Sequence, residues 1–213
     1  VIRLLFCSSR ISILAFVMLL AASATASADL LVTVEEVGSD VIFTSAGGSL
    51  DLTALTFANP GAQTGLIIQD SPNAFFVGPT GPPPSFGRVY TGAIAPSDFV
   101  SAGVSGFTNA DSGSGPIVGA SDNFIFLPFS YSSGSVLGAS TATYNGSTFN
   151  SLGLIEGAYT WSWGSGATAD SMTLQIGPAA VPEPGSFVLF GMGVAGLGFT
   201  QRRKRANRCS ALP

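Results

Sequence analysis

The residues of this chain that could do chemistry are acids and aromatic rings. Glu35, Glu36 and Glu156 supply carboxylates, as do Asp111, Asp122 and Asp170 in glycine- and serine-rich surroundings. There is no histidine, and the two cysteines, Cys7 and Cys209, lie toward the ends of the chain. Ser-His-Asp and Cys-His mechanisms therefore lack a base or a nucleophile, and zinc sites lack their usual ligands. A carboxylate pair could hydrolyse a glycoside, but Glu35 and Glu36 point to opposite faces if a strand carries them. Calcium favours oxygen ligands from such loops. Counted from Asn109 as first ligand of a helix-loop-helix site, Asp111 falls third, but Gly113 falls fifth and Ala120 twelfth, where carboxylates belong. The sequence thus reads as a protein without catalysis, metal centre or cofactor, with a looser surface calcium site as the alternative to simply solvated acids.

Tyr159, Trp161 and Trp163 alternate with Thr160 and Ser162, so a strand would place the three rings on one face. Such a row can stack on the C–H faces of sugar rings and make a glycan contact. It can equally fill a core, and a chain with only two tryptophans gains most by burying them. The core reading is the stronger, and a carbohydrate- or calcium-binding surface module using this aromatic hairpin is kept beside it.

The elements that must position these residues are strands. Short β-branched or alternating runs recur at Leu30–Val37, Val41–Thr44, Ser49–Leu55, Gly65–Gln69, Ala74–Val77, Arg88–Thr91, Asn123–Phe129, Ser135–Tyr144, Ala158–Trp163 and Ser171–Ile176. Gly, Ser and Asp punctuate them, and no amphipathic helix interrupts. This pattern predicts an all-β body, a sandwich or jelly-roll-like barrel, over residues 29–180. Gly78–Pro84 must be a stiff loop, since four of its seven residues are prolines without an N–H to donate. Asn109–Gly115 reads as a flexible turn or linker. Seven of the eight basic residues lie outside the body and eleven of the twelve acids within it, so Arg88 stands alone in a body of net charge −10. Arg88 is expected to pair with an aspartate. A body this acidic has no electrostatic means of binding nucleic acid.

The ends differ in kind from the body. Residues 1–28 read as a secretory signal peptide: Arg3 and Arg10 precede the apolar run Ile11–Ala22, and Ala26-Ser27-Ala28 offers a small-x-small cleavage site. The expected partners are the Sec translocon and signal peptidase. Residues 181–208 place Pro182, Glu183 and Pro184 before an uncharged apolar run, Ser186–Thr200, and then Arg202, Arg203, Lys204 and Arg205. The prolines keep the triplet extended. The apolar run predicts a membrane helix short of the ~20 residues that span a bilayer comfortably, and the bases a stop-transfer cluster held on the cytoplasmic side. Gly191, Ala195 and Gly198 form a small-residue stripe along which another helix could approach. The predicted body is thus flanked by a signal-peptide helix and a transmembrane helix.

A Pro-Glu-Pro triplet, a short glycine-containing apolar segment and a basic cluster, in that order near a C-terminus, resemble the PEP-CTERM sorting signal of Gram-negative bacteria. The Gly/Ser/Tyr/Trp-rich region before it resembles the bodies of other PEP-CTERM proteins, a likeness that brings no activity. The resemblance implies recognition by a membrane exosortase, removal of the helix near the triplet, an inner-membrane intermediate, and delivery to a cell surface or extracellular matrix containing exopolysaccharide.

Overall fold

The computed structural model describes residues 29–69 and 73–178. The chain divides between Gly177 and Pro178 into two units, and every described residue but Pro178 belongs to the first. The predicted signal-peptide and transmembrane helices lie outside the described residues. Among the described residues no helix is long and apolar enough to cross a membrane.

The described residues form fifteen strands. The first eight are β1 Leu30–Val37, β2 Asp40–Ser45, β3 Gly48–Ser49, β4 Thr56–Gln63, β5 Leu66–Ile68, β6 Ala74–Val77, β7 Ser85–Thr91 and β8 Phe107–Asn109. Then follow β9 Ser112–Ser114, β10 Val118–Ser121, β11 Phe124–Pro128, β12 Val136–Leu137, β13 Ser140–Tyr144, β14 Gly157–Trp163 and β15 Asp170–Ile176. They form a six-stranded sheet (β14-β15-β1-β2-β13-β9), a seven-stranded sheet (β4-β7-β11-β10-β6-β5-β8) and a two-stranded ribbon of β12 and β3. Side chains from both large sheets meet in one apolar core, so the body is a β-sandwich.

Alternation explains which face each strand buries. Leu30, Val32 and Val34 of β1 are fully buried while Leu31 and Glu35 face outward, and β15 repeats the pattern with Met172, Leu174 and Ile176 inside. β1 turns into β2 through Gly38 and Ser39, with Gly38 at φ +67. β1 also pairs in parallel with β15, Leu30 opposite Met172 and Val34 opposite Ile176. The first and last strands of the body are therefore central neighbours. β6 is buried on both faces: Phe75 and Val77 join the main core, while Ala74 and Phe76 form a second cluster with Ile117 and Phe126.

Several sequence expectations are corrected. Only Ser49 of Ser49–Leu55 lies in a strand. Leu50, Leu52 and Leu55 enter the core, but side chains satisfy the backbone: Tyr131 Oη bridges the N–H and carbonyl of Leu50, and Ser133 Oγ accepts from the Leu52 N–H. Ser135–Tyr144 splits into β12 and β13. Asn109–Gly115 is no linker, because β9 runs through it beside β13. A Cβ on Gly113 would lie 2.1 Å from the Gly78 carbonyl oxygen and 2.7 Å from that of Thr141, so glycine is what lets this strand close in. β4 was unforeseen because it contains Pro60, which it tolerates as an edge strand paired only with β7. A single helical turn, α1 Phe149–Leu152, is capped by Thr148 and Ser151 and receives Glu36 Oε1 at the Phe149 N–H. Among the described residues Arg88 has no aspartate partner; its guanidinium lies 4.6 Å from the centre of the Phe129 ring.

Candidate functional site

The aromatic row occupies β14, where the sequence places it, and its rings face inward. Tyr159, Trp161 and Trp163 are 7%, 1% and 3% exposed. Trp161 packs at 5.5 Å from Phe75 and 6.2 Å from Phe99, and Phe99 meets Tyr159 at 5.9 Å. Phe99 arrives on the segment that joins β7 to β8 of the seven-stranded sheet, bridged to β14 of the six-stranded sheet where Ile94 pairs with Ser162. The stacking platform for sugar rings is thereby corrected: the faces that would stack on a pyranose are occupied by other rings of the core.

The polar edges of these rings differ. The Tyr159 hydroxyl donates to the Ile155 carbonyl at 3.0 Å, and Trp163 Nε1–H donates to the Asp51 carbonyl at 2.6 Å. Among the described residues Trp161 Nε1–H has no hydrogen-bond partner, and neither has the buried Tyr144 hydroxyl.

The acids do not converge. Asp111 Oδ2 accepts from the Asn145 N–H at 2.7 Å, beneath an open cleft of about 540 Å³ that the Thr80–Pro84 loop walls on one side. Asp170 sits on β15, its carboxylate accepting the N–H groups of Asp51 and Ser171. Burial pushes its carboxyl above the ordinary range, and the charges of Asp29 and Asp51 add to the rise against those two hydrogen bonds. Asp51 moves the other way, held low by hydrogen bonds from Thr53. Asp122 occupies the β10–β11 turn at φ +24. Glu36 caps α1, and Glu35 is exposed on the opposite side of the strand. Among the described residues no three His, Cys, Asp or Glu side chains gather as a metal site.

Ala26, Ala28, Pro182–Pro184, Gly191, Ala195, Gly198 and Arg202–Arg205 lie outside the described residues. For them the comparison with known proteins speaks instead. No curated protein and no solved structure matches the chain. The motif that matches covers the triplet, the apolar run and the basic cluster as far as Lys204. Residues 180–204 are a PEP-CTERM protein-sorting motif, the signal of an exosortase substrate, which implies export and sorting to the cell surface.

Proposed function

We propose that this chain is an exported surface or matrix protein whose body is structural or adhesive. The PEP-CTERM motif at residues 180–204 carries the reading. In this scheme the Sec translocon exports the chain and signal peptidase cuts after Ala28. The Ser186–Thr200 run holds the intermediate in the inner membrane of a Gram-negative cell, with Arg202, Arg203, Lys204 and Arg205 on the cytoplasmic side. Exosortase approaches along Gly191, Ala195 and Gly198 and processes the chain near Pro182–Pro184. The extended, proline-bracketed triplet suits a processing enzyme, because it cannot fold back into a helix or sheet. The product then joins the cell surface or its exopolysaccharide.

The triplet provides the test. Replacing Pro182, Glu183 and Pro184 together by alanine leaves the body and the apolar run untouched. The variant should accumulate in the inner-membrane fraction while the unaltered chain reaches the surface; equal surface display of both would sink the reading.

A further inference from the structure

A sheet edge is a template for another strand unless something blunts it, and the two large sheets present four edges: β14, β9, β4 and β8. Three of them are blunted. β4 carries Pro60 and a register shift between Phe57 and Asn59. β14 is covered where Ile94 and Ser162 exchange backbone hydrogen bonds at 2.8 and 3.1 Å. β9 starts next to Asp111 and offers only serine and glycine. β8, Phe107–Asn109, has no such device: no proline and no charged residue stands between Asp98 and Asp111. It also presents Phe107, 69% exposed.

The backbone of β8 is oriented for pairing. The Gln69 N–H donates to the Gly106 carbonyl at 2.8 Å and the Ala110 N–H to the Gly65 carbonyl at 2.9 Å. Backbone groups alternate in direction along a strand, so the N–H and carbonyl of Phe107 and of Asn109 point away from β5, beyond the end of the sheet. Their side chains lie on the outer face, Phe107 in register with Ile68 and Asn109 with Leu66. Leu66, Ile68, Gly106 and Phe107 line an apolar hollow of about 270 Å³ on that face. An exposed edge and an apolar hollow therefore share one strand.

Charge and register select the occupant. A body of net charge −10 repels its own copies, except where a contact excludes the acids, and the β8 edge is uncharged. The same lack of charge gives a basic partner nothing to hold. We infer that β8 is the contact between two copies of this chain, paired antiparallel about a two-fold axis through Thr108. In that register Phe107 and Asn109 of each copy exchange backbone hydrogen bonds with Asn109 and Phe107 of the other. The two Phe107 side chains become diagonal neighbours on the outer face, within reach of each other and of the facing copy's Leu66. Asp111 falls opposite Ser105, so the nearest acids do not meet. The contact is isologous and closes at two copies, joining two sandwiches through one continuous sheet. The inference takes nothing from the proposed sorting: an unprocessed tail leaves the pairing intact, and a failed pairing leaves sorting intact.

Cysteine cross-linking reads this register. The full chain carrying Cys7→Ser and Cys209→Ser is held in dilute zwitterionic detergent, given one new cysteine, oxidised mildly and run on a non-reducing gel. Thr108→Cys sits on the two-fold axis, in a non-hydrogen-bonded pair whose Cα atoms are about 4.5 Å apart, and should cross-link to a dimer. Ser105→Cys is the control. It is more exposed than Thr108, so random collision favours it, yet in this register the two copies of it lie about 20 Å apart and should stay monomeric. Adding Phe107→Glu puts two like charges on the diagonal and should cut the Thr108→Cys cross-link about tenfold or more. Its exposed position keeps the fold intact, which unchanged urea unfolding checks. The inference is overturned if Thr108→Cys gives no dimer, or if Ser105→Cys cross-links as readily. A dimer that Phe107→Glu leaves untouched also overturns it, because the copies would then meet elsewhere, as along the apolar run at residues 186–200.

Discussion

Asp170 and Asp51 are joined by one hydrogen bond, yet their protons respond to folding in opposite senses. Burial raises the Asp170 carboxyl above 3.8, so the folded state holds that proton more tightly than the unfolded chain does. Its contribution to stability is complete below pH 3.8 and is lost as pH rises through the folded value. Asp51 is lowered by the Thr53 hydrogen bonds; its contribution is present above pH 3.8 and is lost as pH falls through its folded value. Asp170→Asn removes the first effect and leaves the second. The substituted amide also points a donor at the N–H groups of Asp51 or Ser171, so the variant should be less stable than the unaltered chain under acid conditions. Urea unfolding across pH 3 to 7 should show that stability gap narrowing as pH rises. A gap that widens with pH would mean that Asp170 is stabilised as a carboxylate, and the assignment of burial as the dominant influence would be wrong.

At the scale of elements, β1 and β15 are the frame: parallel neighbours inside the six-stranded sheet, each paired on both sides. Adjacent leucines in β1 test that placement. Leu30 is fully buried and Leu31 is 45% exposed. Leu30→Ala should cost about 2–5 kcal/mol in chemical denaturation, and Leu31→Ala within about 0.5 kcal/mol of nothing. Equal costs would mean that the strand's faces are misassigned. β1, β6, β14 and β15 were legible in the sequence because alternation or a dense apolar run marks them and their ends fall at Gly or Asp. β4, β8, β9 and β10 were not. Pro60, the Ser112-Gly113-Ser114 strand and Gly119 carry the composition of loops, and only their neighbours in space make them strands. The burial of Trp161 and Trp163 followed from composition. The gathering of Asn73, Asp98 and Asp122 around one small cavity beside Trp161 did not, because they come from separate segments that only the folded sandwich brings together.

The whole molecule divides its tasks along the chain. The body is acidic, with Arg88 as its lone base, and Arg88 is engaged with the Phe129 ring. Cationic residues are concentrated at the ends, where the proposed export and membrane orientation would use them. The sorting motif accounts for residues 180–204, and side chains of the two large sheets pack into one apolar core of their own. The central claim is therefore about processing. Intact mass and the C-terminal peptide, measured on protein recovered from the cell surface with and without the exosortase, test it most directly. The account predicts a chain beginning at Asp29 and lacking everything beyond the Pro182–Pro184 region when the enzyme is present, and a retained apolar run and basic cluster when it is absent. The same tail on the protein from both strains would contradict it.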